Sequence, residues 1–468
     1  MKTTRKDFIG SLLAAGFFPR LLAETAENTS KMPSYYYPYL NDIISRIKAN
    51  ANDCDTGFYF ITDQHVKSNH CQSGKICSEL IGKTGIGNVL CGGDLVEAFG
   101  KDYPTDNDAI VFAIENFRKH WVEPIRASGG KLYCAKGNHD FTVRHSMDAN
   151  EPATGLTYSG TEAKRLIVDE WTEKGIITNT SDDSACYYYK DDNDAKIRFI
   201  VADTTDTEKA GKTPWGVIYG VHDTQLVWLC SQAFGTVPAG YNVVVMHHIP
   251  VAGIVGTDSE KNVFRNFRAL LEAYQNREKF TVAGKNFDFA HANGRILIDL
   301  TGHMHAERQT YQRGILHVTE PCDAAYRDYQ FGSQPWCDNL PNKLKGTIFE
   351  QTFDAVQISK DRSFIRITRI GGGTDRAIHL TEQKVKAGGT LKLVPTLMKG
   401  AFTFFCHDGD RIDFEPNPQN KWNPLPKYKT DFAAITPDGV LTGVKPGPVL
   451  VLAIDKNGNK EIFPVSVY

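Results

Sequence analysis

Between residues 55 and 370 two kinds of apolar pattern take turns along the chain. Short, nearly continuous apolar runs occur at Phe58–Thr62 (FYFIT), Asn88–Cys91 (NVLC), Lys131–Ala135 (KLYCA), Ile197–Ala202 (IRFIVA), Asn242–Met246 (NVVVM) and Ile296–Leu300 (ILIDL). Runs of that length without alternation predict strands buried on both faces. Between them lie stretches of helical spacing. Asp108–Ala127 places Phe112, Ile114, Phe117 and Trp121 on such a repeat, and Val263–Tyr274 is a second example. Buried strands separated by helices predict an α/β sheet rather than a one-sided antiparallel one. Phe353–Ile370 alternates apolar with polar residues and predicts a closing hairpin, with Gly371, Gly372 and Gly373 as a linker after it.

Past residue 380 the helical repeat disappears and turn pairs recur at Gly388-Gly389, Asp408-Gly409, Asp438-Gly439 and Asn457-Gly458. The last stands between two apolar runs, as a hairpin requires. Some ninety residues of this kind predict a small all-β sandwich. Ala434–Val451 (AITPDGVLTGVKPGPVLV) and Val385–Leu393 (VKAGGTLKL) make this tail similar to the bacterial group 2 immunoglobulin-like module.

Composition narrows the class without choosing within it. At 468 residues the chain is long enough for about three structural units. With 41% hydrophobic and 23% charged residues it is neither disordered nor membrane-spanning. Lys plus Arg number 53 and Asp plus Glu 55, so extended nucleic acid held by a basic excess is not expected. The N-terminus carries Lys2, Arg5 and Lys6 before the apolar Phe8–Phe18, and small residues at Ala23 and Ala26 follow. That order predicts an export signal over 1–26, hence a periplasmic, cell-surface or secreted bacterial protein. TRKDFIG also resembles a twin-arginine signal with Lys6 in place of the second arginine. Ten cysteines in an exported chain permit disulfides, with Cys71–Cys77 and Cys322–Cys337 near enough in sequence; no CxxC occurs.

Chemistry concentrates at the ends of the strand-like runs. Asp63-Gln64-His65 follows FYFIT, Gly93-Asp94 follows NVLC, and Gly137-Asn138-His139-Asp140 follows KLYCA. His247-His248 follows NVVVM, and Gly302-His303-Met304-His305 follows ILIDL. In α/β sheets, ligands gather at the carboxyl ends of strands, so these five clusters are placed to converge on one rim. Imidazole, carboxylate and amide together suit Zn, Mn or Fe better than Mg alone. Asp140 is placed either to orient His139 or to cap the next helix, and Asp203 either to join the site or to cap a turn. His248 is an alternative to His247.

These clusters make residues 55–370 similar to the calcineurin-like metallophosphoesterase family, whose signature is D-x-H, G-D, G-N-H-[DE], a strand ending in His, and G-H-x-H. The resemblance implies a four-layer α/β/β/α sandwich holding two metal ions, Fe, Mn or Zn. It implies that Asp63, His65 and His305 hold one ion, that Asn138, His247 and His303 hold the other, and that Asp94 bridges them. It further implies that His139 contacts the phosphate and protonates the leaving oxygen, while a hydroxide bridging the metals attacks. His65 stands where purple acid phosphatases have glycine, which argues against that branch.

The expectation is therefore an exported phosphate mono- or diesterase acting on a small substrate. It comprises a signal at 1–26, a lead segment at 27–54, the catalytic domain at 55–373 and the immunoglobulin-like sandwich at 380–468. A binding or adhesion protein with a vestigial metal site and a nuclease of the same superfamily are the alternatives. Gly82-Lys83-Thr84 lacks the leading glycine of a phosphate loop, Cys77 standing there, and no G-x-S-x-G occurs. Substrate choice is expected in the loops Arg144–Asn150, Pro250–Asp258 and Tyr326–Trp336.

Overall fold

The computed structural model describes residues 32, 34–66, 72–96, 106–140, 160–206, 220–252, 264–305, 307–323, 347–410, 414–415, 425–426 and 428–468. Residues 1–26, Cys71 and Cys337 lie outside these, as do most of the three loops expected to select substrate.

Helix α1 (Tyr37–Asn50) turns Leu40, Ile43 and Ile47 inward at helical spacing. After it come β1 (Cys54–Ile61), α2 (Ser73–Thr84), β2 (Asn88–Cys91), α3 (Asp106–Phe117), α4 (Glu123–Ala127) and β3 (Lys131–Cys134). The next stretch holds α5 (Gly160–Lys164), β4 (Ile177–Thr178), β5 (Tyr188–Asp192), β6 (Ile197–Val201), α6 (Asp223–Trp228) and β7 (Asn242–Met246). Beyond it lie α7 (Arg265–Asn276), the hairpin β8 (Lys279–Val282) and β9 (Lys285–Asp288), β10 (Ile296–Thr301), β11 (Arg308–Gln312) and β12 (Ile315–Thr319). The chain continues through β13 (Thr352–Ser359), β14 (Phe364–Gly371), β15 (Arg376–His379), β16 (Gln383–Val385), β17 (Thr390–Lys392) and β18 (Phe402–Asp408). It closes with the short pair β19 (Phe414–Glu415) and β20 (Leu425–Pro426), then β21 (Ala433–Ile435), β22 (Val440–Gly443), β23 (Gly447–Asp455) and β24 (Lys460–Val467).

Two large sheets carry the molecule. One runs β18-β23-β24-β15-β14-β13-β1-β2-β3 and the other β11-β12-β10-β7-β6-β5-β4. They pack face to face: the Phe58 ring meets Phe199 edge-on at 5.7 Å, and Tyr133 stacks on Phe199 at 5.8 Å. Tyr59, on the opposite face of β1, reaches Thr84 of α2 with its hydroxyl at 2.8 Å. β1 is thus buried on both sides, which is why FYFIT does not alternate. On the outer face of the second sheet, α6 and α7 bury Leu226, Phe267, Leu270 and Leu271 against Val243 and Val245. The result is a mixed α/β architecture in which helices flank a pair of apposed sheets.

Two expectations need correcting. The helix expected over Asp108–Ala127 opens into a π-helical turn at Arg118–Val122, which brings Trp121 and Val122 into the core. The three glycines are no linker: Gly371 ends β14, where a side chain would strike the Gln351 carbonyl, and Gly372 and Gly373 open the turn to β15. The all-β tail is joined to the rest through the first sheet. β24 pairs in parallel with β15, Arg376 facing Lys460 and Ile378 facing Ile462, so the tail extends the first sheet. A separate small sheet, β17-β22-β21, covers this extension over its own core of Val385, Leu393, Phe404, Leu441, Val451 and Phe463. The predicted turns at Asn457-Gly458 and Asp438-Gly439 do close the hairpins β23–β24 and β21–β22. No helix among the described residues is long and apolar enough to cross a membrane.

Candidate metal centre

Strands β1, β2, β3, β7 and β10 all end at the same rim, and each delivers its polar cluster there. Backbone bonds lock the loops together: Asp63 N–H donates to Gly93 O, His65 N–H to Asp94 O, and His303 N–H to the Asp63 carboxylate. The approach is so close that two glycines are obligatory. A Cβ on Gly302 would sit 1.9 Å from Thr62 Oγ1, and one on Gly137 would sit 2.1 Å from the Asp94 nitrogen.

Two groups of donor atoms result. Asp63, His65, Asp94 and His305 offer atoms that all lie within 4.8 Å of one another, and so do Asp94, His248 and His303. In the first group His65 Nε2 is 3.1 Å from His305 Nε2, and His305 Nε2 is 3.2 Å from Asp63 Oδ1. In the second, His248 Nε2 is 3.1 Å from both Asp94 Oδ2 and Asn138 Oδ1, and His303 Nδ1 is 2.8 Å from Asn138 Oδ1. Donors bound ~2.1 Å from one ion would stand ~3.0–3.4 Å apart, so the spacing fits a metal in each group. Asp94 Oδ2 belongs to both, being 3.6 Å from His65 Nε2 as well.

The backbone supports the same reading. Asp63, His65, Asp94, His303 and His305 all have positive φ, between 43° and 67°. For a residue with a Cβ this costs on the order of 1–3 kcal/mol each, and it persists only where the surroundings impose it. Electrostatics agree. Burial alone would push the Asp63 carboxyl up, but His305, His65 and His248 hold it well below the usual range. His248 is opposed by its burial yet raised to about 9 by Asp94 and Asp63. Burial and the neighbouring His248 push His303 down to about 3.

His247 is the residue the sequence expectation misplaced. Its Nδ1 faces Ile249 O and its Nε2 faces Asp299 Oδ1, each at 2.9 Å, and its ring meets Phe267 edge-on. The cause is the two-residue repeat of the strand. Val243 and Val245 pack outward under the helices while Val244 and Met246 face the other sheet. Continuing that parity sends His247 outward and His248 inward to the rim, a signal already present in NVVVMHH.

Each remaining candidate has a definite place. His139 donates its backbone N–H to Asp94 Oδ1 at 2.7 Å, and its ring, 20% exposed, packs edge-on against His65. Asp140 accepts from Gly137 N and Val96 N, so it holds the loop shut beneath the site. Asp203 caps its own turn through Thr205 and pairs with Lys136 at 2.6 Å. Gly82-Lys83-Thr84 is the last turn of α2. One residue was missed. Cys322, considered for a disulfide, donates its Sγ–H to Asp63 O and lies within 4.8 Å of ring nitrogens of His65 and His305. No spacing rule marks it.

No family model matches the chain, and no curated protein matches it. Among solved structures it is similar to a dimetal phosphatase from Danio rerio, at 14% identity over 70% of this chain and 100% of that one, with a TM-score of 0.45. It is also similar to GAP50, the anchor in the inner membrane complex of Plasmodium (12% identity, 68% and 85% of the chains, TM-score 0.36). A third is a putative 5'-nucleotidase from Staphylococcus aureus (12% identity, 70% and 55% of the chains, TM-score 0.35). The chemistry of the rim rests on its own donor set.

Proposed function

We propose that the protein is a binuclear metal-dependent phosphoesterase, cleaving small phosphate mono- or diesters in the manner its sequence resemblance implies. The observation that carries this reading is the pair of donor groups sharing one carboxylate, Asp94. Asp63, His65 and His305 would hold one ion, and Asn138, His248 and His303 the other. Ions held so close polarise a phosphoryl group and lower the pKa of water; Zn, Mn and Fe all suit these ligands.

The chain's own residues supply the rest. Asp94 is tied by His139 N–H on one oxygen and left open to both donor groups through the other. Among the described residues His139 lies beside the donor groups but is assigned to neither, and its partly exposed ring is placed to give a proton to a leaving oxygen. Residues 1–26 direct export and the tail is an immunoglobulin-like module in this reading, the first to be checked by the mass of the mature N-terminus.

The test is hydrolysis of p-nitrophenyl phosphate against bis-p-nitrophenyl phosphate by metal-replete wild type and Asp94→Ala, with metal content measured in both. Turnover and two metals in wild type, both lost in the variant, is the expected result. The preferred ester then separates monoesterase from diesterase. A folded wild type that takes up no metal overturns the reading.

A further inference from the structure

A cluster of six ionisable side chains lies buried between the candidate metal rim and the tail. Lys460, the first residue of β24, places its Nζ 3.0 Å from Glu307 Oε1. Glu307 Oε2 is 2.8 Å from Arg369 of β14 and 3.4 Å from Arg376 of β15. Both arginines also reach Glu320, each at 3.0 Å, and both pair with Asp354 of β13. All six side chains are buried, three basic groups against three acidic ones, and burial and the neighbouring Asp354 hold Glu320 above the usual carboxylate range. The cations stand on three adjacent strands of the first sheet, β14, β15 and β24.

The acids are where the cluster touches the chemistry. Glu307 is two residues beyond His305, and Glu320 is two residues before Cys322. The segments reaching His305 and Cys322 are therefore anchored from the first sheet, although β10, β11 and β12 belong to the second. A buried ion cluster adds little net stability over apolar packing of the same volume, so stability alone does not explain it. What charge pairs of fixed geometry add is orientation. Groups that orient a metal ligand set its affinity, and Glu307, two residues along the backbone from His305, holds the segment that carries that ligand.

We propose that the tail is a working part of the metal centre: Lys460 is a positioning residue that, through Glu307, fixes His305 against its ion. This rests on the metal-binding reading of the rim. It gives the tail a role in the site that its resemblance to a surface module does not suggest.

The experiment titrates Co2+ into the metal-free full-length chain and follows both binding steps and the visible absorption of the bound ion. Wild type, Lys460→Met and Lys460→Arg are compared, with Lys445→Met as a control on the exposed part of the tail. Lys460→Met is expected to lose about 10- to 100-fold in affinity at one of the two sites, with a changed Co2+ spectrum there, while the other site is unmoved. Lys460→Arg restores the affinity, and Lys445→Met leaves both sites as in wild type. Equal weakening of both sites indicates general loosening and overturns the positioning role, as does wild-type binding by Lys460→Met. If Lys460→Met does not fold, Lys460→Met with Glu307→Gln removes one charge of each sign and is read by the same two criteria. A wild type that binds no Co2+ overturns both this inference and the metal centre it rests on, whereas two-site binding in wild type leaves only the role of Lys460 at stake.

Discussion

His247 and His248 are adjacent, equally buried and chemically identical, yet they face opposite sides of β7's sheet. Their substitutions should separate accordingly. His248→Ala is expected to lose one of two bound metals and its turnover. His247→Ala should keep both metals and lose stability instead, by about 1–3 kcal/mol, because Asp299 would keep only His317 as a partner. Metal analysis together with urea unfolding of the two variants checks this; a His247→Ala protein lacking a metal would refute it. Most of the rim was legible at this scale because glycine, carboxylate and imidazole stand directly after apolar runs. Cys322 was not, since its place follows from where β12 ends rather than from any spacing to the other donors.

At the scale of elements, the six strands read from continuous apolar runs were legible because few other structures bury four to six β-formers in succession. Strands β11 and β12 were not. They bury Arg308, Thr310, His317 and Thr319 alongside Tyr311, Leu316 and Val318, so polar and apolar residues are covered alike and the expected contrast is absent. The π-helical turn at Arg118–Val122 was equally invisible, since one extra residue per turn leaves an apolar repeat nearly intact. That turn packs on α2 so closely that a Cβ at Gly74 would lie 2.1 Å from His120 O. It also has a titration consequence. Burial first, then Lys75 and Lys119, pushes His120 down from 6.5 to about 4. Above pH ~6.5 the group is neutral in both states and has no effect. As pH falls from there toward 4, the unfolded chain takes up a proton that the folded chain refuses, and stability is lost. Metal-free His120→Gln should lose less stability than metal-free wild type between pH 7 and 5, as read from urea midpoints. Identical losses would remove His120 from the account.

For the whole molecule, the metal rim is where both sheets and the loops between them are pinned by the same few residues. Five rim residues hold positive φ, and the buried or half-buried donor atoms of Asp63, Asp94 and four histidines crowd together. Ions that satisfy those donors bind the folded state and not the unfolded one, so they stabilise by mass action. Chelation is expected to lower Tm by several degrees, and re-adding Mn or Zn should restore it; an unchanged Tm in a demonstrably stripped protein would argue that the rim is rigid without metal. The overall α/β class was readable from alternating patterns, whereas the join between β15 and β24 was not. Nothing in RAIH or KEIFPVSV announces a parallel partner eighty residues away, because strand pairing is decided by which edge stays open.

The interior strand β1 carries a consequence in time. One neighbour, β2, follows it closely, but the other, β13, begins about 290 residues after β1 ends. At the usual pace of synthesis, a ribosome needs roughly 15–60 s to deliver it. For that interval, a strand destined to be covered on both faces has an open edge, the condition under which nascent chains aggregate or recruit chaperones.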